Sequence, residues 1–102
     1  MKLSLIKSPL KLKKYRITFE DGKSVDFGAS GYTDYTITGS DLKKKAYIAR
    51  HKQKEVWTKA GIRTAGFWAR WLLWNKPTIL QSINDIEKRF NVTIKANKYM
   101  SL

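Results

Sequence analysis

Between residues 13 and 28 the chain reads KKYRITFEDGKSVDFG, and its apolar positions alternate with polar ones in two runs. Tyr15, Ile17 and Phe19 fall on one side of the first run, and Val25 and Phe27 on one side of the second. That is the period of a strand with one buried face. Asp21-Gly22 between the runs predicts a two-residue type I′ hairpin turn, in which both central residues take positive φ. The next stretch, GASGYTDYTITGS, is rich in Gly, Ser and Thr and reads as a loop with room for a short third strand. After it the period changes. Ser40 suits a helix N-cap and Asp41 the first turn, so a helix is expected from 41 to about 54, with Leu42, Ala46 and Ala49 as a thin apolar stripe. Thr64 predicts the start of a second helix, TAGFWARWLLWN, ending at Asn75 before Lys76-Pro77. Thr78 and Gln81 form a capping-box pair ahead of Ile79, Ile83, Ile86 and Phe90, which repeat with helical spacing up to Asn91. Residues 92 to 94, VTI, are either one more strand or the start of a basic tail.

These elements predict an α+β fold: an N-terminal β-hairpin or small antiparallel sheet packed against three or four helices, with the Trp-rich helix at the centre. An isolated hairpin is marginal in water, so its apolar face needs the helices. The helix from 64 to 75 carries Phe67, Trp68, Trp71, Leu72, Leu73 and Trp74 around most of its circumference, as central buried helices do. With 102 residues the chain is expected to form a single domain. Its parts would be a basic N-terminal arm at 1–12, the hairpin at 13–28, a helical region at 41–90 and a basic tail at 95–102.

Composition sharpens this picture. Hydrophobic residues make up 42% of the chain, too many for a disordered basic tail. The absence of cysteine excludes disulfides and thiolate metal sites, which points to a reducing compartment. No apolar run has the length of a signal peptide or a membrane span, so an intracellular protein is expected. Twenty-one Lys and Arg stand against eight acids, for a net charge of +13. A surface this basic attracts polyanions: nucleic acid first, then anionic membranes or acidic protein surfaces. The charge is concentrated. Residues 43 to 76 hold ten basic side chains, one acid (Glu55) and all four tryptophans.

Familiar enzyme chemistry has little to work with. The single histidine, His51, stands at i, i+4 from Glu55, but two ligands are too few for zinc, and no glycine-rich phosphate loop is present. The expectation is a protein that is not an enzyme, with no cofactor, no metal and no small-molecule substrate. Sequence-independent phosphate neutralisation is the positive reading. Its candidate residues are Lys43, Lys44, Lys45, Arg50, Lys52, Lys54, Lys59, Arg63 and Arg70. The indoles could stack on unpaired bases, but they accompany Phe67, Leu72 and Leu73, and burial of most of them is expected. Arg70 would then project from the helix toward a phosphate or carboxylate.

The segments YRITFEDGKSVDFGASGYTDYT, YIARHKQKEVWTKAGIRTAGFWARWLLWNKPT and SINDIEKRF resemble a family of small uncharacterised proteins encoded by large nucleocytoplasmic DNA viruses of algae and amoebae. The resemblance spans about residues 15 to 90. It implies a viral context, with the protein in the virion and inside the host cell during infection, and it implies no catalytic residues. Two roles suit that context. One is a DNA-associated protein that neutralises the packaged genome. The other is a minor capsid protein whose basic face docks on capsid proteins or bridges shell and DNA.

Overall fold

The structure, a computed structural model, describes residues 1–96. Four strands form one sheet in the order β3-β2-β1-β4: β1 (Lys2–Lys7), β2 (Lys13–Thr18), β3 (Ser24–Ala29) and β4 (Thr93–Ala96). β1 pairs antiparallel with β2, β2 antiparallel with β3, and β1 parallel with β4. The helices are α1 (Tyr35–Thr38), α2 (Asp41–His51), α3 (Ala65–Trp68) and α4 (Ile79–Phe90). A 3₁₀ turn at Lys59–Gly61 precedes α3, and a π-helical segment, Ala69–Leu73, continues it. The fold is thus α+β, with a mixed sheet, four helices and a Trp-rich helical stretch.

Residues 1–12 are not an arm. Lys2-Leu3-Ser4-Leu5 alternates with the same period as β2, and Leu3 and Leu5 are buried opposite Ile94, Ala96 and Ile17. Lysines at 2 and 7 disguise a strand that lies inside the sheet. At the other end, Lys95 belongs to β4, while residues 97–102 of the expected basic tail lie outside the described residues.

The hairpin between β2 and β3 closes differently from a type I′ turn. Of the loop residues Glu20, Asp21 and Gly22, only Gly22 has positive φ, at 85°. Gly22 N–H donates to Phe19 C=O at 3.0 Å, and Phe19 N–H donates to Lys23 C=O at 2.8 Å. Together these describe a three-residue loop, a tight turn followed by a left-handed glycine bulge. Asp21 leaves the positive-φ position and instead accepts a hydrogen bond from Lys23 N–H at 3.1 Å.

One face of the sheet is covered. Leu3, Leu5, Ile17, Phe19 and Phe27 meet Ile62, Phe67, Trp68, Leu72 and Leu73 from the middle of the chain. Ile79, Ile83, Ile86 and Phe90 from α4 complete the core. The caps read from the sequence hold: Ser40, Thr64 and Thr78 each accept a backbone N–H three residues on, and Asn91 ends α4 in the left-handed conformation. α2 stops at His51 rather than near 54. Its inward residue is Tyr47, whereas Leu42, Ala46 and Ala49 face solvent, with Leu42 79% exposed. The core recruits the large ring at 47 in preference to the small alanines.

The Trp-rich stretch is half core. Trp68 is fully buried and its indole N–H donates to Ile62 C=O at 2.6 Å. Trp71 and Trp74 are only partly buried. The chain changes here from α to π geometry, closed by a bond from Trp74 N–H to Ala69 C=O at 3.1 Å. This widened turn lets consecutive Leu72 and Leu73 both face inward and leaves Trp74 at the side, beside α2.

Candidate functional site

Tyr47 is the point where α2 meets the rest of the molecule. Its ring stacks on Trp74 at 4.6 Å with planes 5° apart, and on His51 at 4.3 Å. Burial first, and the charge of Glu55 second, push its hydroxyl up to about 12. A second tie fixes the helix: Lys44 Nζ donates to Asn75 C=O at 2.6 Å and lies over the Tyr35 ring. Burial, then the neighbouring charges of Arg70 and Lys76, lower the Lys44 pKa.

Between α2, the end of β3 and the start of α3 is an open cleft of about 530 Å³. Small residues of β3 and α3 make its floor, Lys43, Arg50 and His51 line the α2 side, and Tyr32 stands at its mouth. The carboxylate of Glu55 lies directly against Gly66, where any Cβ would collide with it, and 4.0 Å from His51 Nδ1. In the sequence only their i, i+4 spacing joins His51 and Glu55. The fold adds Tyr32, from the loop upstream of α1 and α2, and no periodicity could have supplied that neighbour.

The nine basic residues expected to contact phosphate divide into two groups. Lys43, Lys45, Arg50, Lys52, Lys54 and Lys59 are exposed and have no carboxylate within ion-pair distance among the described residues. Lys44, Arg63 and Arg70 are engaged within the molecule. Arg63 pairs with Asp21 at 3.1 Å and covers the Phe19 ring, clamping the hairpin loop to the segment before α3. Arg70 does not project outward. Its guanidinium packs over Trp71 at 4.4 Å and Trp57 at 5.5 Å, and donates to Trp74 C=O at 2.8 Å. Burial and then Arg89 lower its pKa. A planar cation stacks on indoles and caps the carbonyls that end a helix, and both partners here lie within reach of position 70.

Most of the acids are also occupied. Asp34 holds Lys14 at 2.6 Å, Asp26 holds Arg16 at 2.9 Å and Asp85 holds Arg89 at 3.1 Å. Asp41 accepts from the Tyr35 hydroxyl at 2.7 Å, and Glu87 from Ile94 N–H at 2.9 Å. The free positive charge is thus left largely unopposed. Among the described residues no group of three or more His, Asp and Glu is arranged to hold a metal ion, and no helix is long and apolar enough to cross a membrane.

No curated protein and no solved structure matches the chain. Residues 3–51 match a family of unknown function, DUF5754. The match takes in β1 to β3, α1 and α2, and so includes the cations from Lys43 to Arg50, while the Trp-rich stretch lies beyond it. Over that part the chain is similar to a family whose description assigns no activity.

Proposed function

We infer that this protein is a non-enzymatic module that binds nucleic acid, DNA above all, without sequence preference. The observation that carries this is the set of six unpaired cations on α2 and the residues after it, Lys43, Lys45, Arg50, Lys52, Lys54 and Lys59, in a chain that pairs Asp21, Asp26, Asp34 and Asp85 with other Lys and Arg side chains. Such a surface gains affinity by displacing counterions from phosphates, whatever the base sequence. In the viral setting implied by the sequence resemblance, the module would accompany the packaged genome.

The test is anisotropy of labelled duplex DNA at roughly 50 and 200 mM salt. Six phosphate contacts weaken binding on the order of a thousandfold between those conditions. Affinity should also be similar for unrelated sequences. Weak binding at the lower salt, or strong dependence on sequence, would sink the proposal.

A second reading, a minor capsid protein, is favoured by Leu42, Ala46 and Ala49, which α2 exposes beside its lysines. An apolar stripe edged by cations suits an acidic protein surface better than a phosphate backbone. That role calls for binding to assembled capsid protein and little binding to naked DNA.

A further inference from the structure

The cleft beside α2 has features that phosphate neutralisation does not use. Tyr32 at its mouth is 74% exposed, yet its backbone is held: Lys14 Nζ donates to Tyr32 C=O at 2.6 Å while paired to the buried Asp34, also at 2.6 Å. A large ring on an anchored loop is a platform for stacking. On the α2 side Lys43 and Arg50 supply two unpaired cations. Glu55, which also lines the cleft, offers carboxylate oxygens beside His51 as an acceptor for N–H groups. The volume of about 530 Å³ lies within the range of small-ligand clefts.

A flat ring to stack, an anion to neutralise and amine hydrogens to accept are the parts of one unpaired nucleotide. We propose that this cleft binds a single unpaired nucleotide, its base against Tyr32, its phosphate at Lys43 and Arg50, and base amino groups toward Glu55. The proposal rests on the nucleic-acid reading and refines it: the protein prefers single strands, because a base inside a duplex has no free face to offer. The occupant is a nucleotide of a strand or a free mononucleotide, and these are separated below.

The experiment compares single-stranded and duplex DNA of one length and mixed sequence near 150 mM salt, using the wild-type chain, Tyr32→Ala and Ala46→Trp. Both altered positions are exposed and line the cleft, so melting temperatures should match the wild type. The expected result is a single-strand preference on the order of tenfold, from stacking of a base on an aromatic ring. Both variants should lose it and keep their duplex affinity. Equal affinity for the two forms in the wild type, or a preference untouched by both substitutions, would overturn the proposal while leaving salt-dependent duplex binding intact. Calorimetry with adenosine 5′-monophosphate, and with inorganic phosphate for comparison, covers the case in which neither DNA form binds. Saturable binding of the mononucleotide alone, abolished in Tyr32→Ala, would assign the cleft to a free nucleotide and remove the polymer. No response to the mononucleotide in that case would reject the cleft as a nucleotide site.

Discussion

Trp68, Trp71 and Trp74 are spaced three apart and meet three different surroundings. Trp68 is enclosed by core side chains, Trp71 lies between the guanidiniums of Arg70 and Arg89 at 4.4 and 4.5 Å, and Trp74 stacks on Tyr47. Their substitution should therefore cost different amounts. Trp68→Ala is expected to lose about 3 to 5 kcal/mol in a denaturant melt, as deletion of a buried large aromatic does. Trp71→Ala should lose less, because its ring keeps solvent contact, although it also gives up its bond to Trp57 C=O at 2.9 Å. Tyr47 supplies a pH test. The unfolded chain ionises this phenol near 10.0 and the folded one near 12. Between those values the unfolded chain has lost a proton that the folded one keeps, so stability falls as pH rises through that window. Melts from pH 9 to 12 should show the decline, and Tyr47→Phe should reduce it. At this scale the sequence was readable where a residue answers to its own neighbours, as Ser40, Thr64 and Thr78 do in capping. Arg70 was misread because its partners, the Trp57 ring and the Trp74 carbonyl, come together only through the π-helical turn.

At the scale of elements, α2 and β1 show how periodicity misleads when charge and apolarity interleave. Leu42, Ala46 and Ala49 make a regular helical stripe that the fold leaves in water, since α2 turns the larger Tyr47 ring inward against Trp74. β1 was hidden for the opposite reason: Lys2 and Ser4 alternate with Leu3 and Leu5 over only four residues, a mixture that a basic arm would share. α4, with its wide apolar face and a cap at each end, was legible from Ile79 to Phe90. The candidate contact face was legible as a region, because the charge imbalance is local, and only the fold shows which cations are free. The side chains of Lys45, Lys52 and Lys54 have no hydrogen-bond or ion-pair partner among the described residues, so changing all three to Gln should leave the melting temperature within a few degrees. It should lower the salt slope of DNA binding by about 3, close to one unit per lost contact. Gly22→Ala, at φ 85°, should destabilise the hairpin loop by on the order of 1 kcal/mol in a thermal melt.

Across the whole molecule, ion pairs from β2 reach β3 and the cap of α1, while six exposed cations stay unpaired among the described residues. The bond from Arg16, and after it that from Ser8, hold the Asp26 carboxyl below its usual 3.8. Burial pushes Asp85 upward, but bonds from Asn75 and Arg89 outweigh it and leave that carboxyl low as well. Groups depressed on folding add stability above their unfolded pKa and lose it as pH falls through the folded one. Thermal stability should hold through neutral and mildly acidic pH and drop below about pH 4, and Asp26→Asn should flatten part of that drop. A different consequence follows from the parallel pairing of β1 with β4, which sets Leu3 beside Ile94. During synthesis β1 precedes β4 by the whole helical region, so that edge of β1 stays unpaired until β4 exists. A growing chain that has reached His51 has three strands and the lysines of α2, but none of the residues from Ile62 to Phe90 that cover Leu3, Leu5 and Ile17. Its net positive charge repels other copies and keeps the unfinished sheet dispersed, so the excess of lysine also protects the chain before its core has closed.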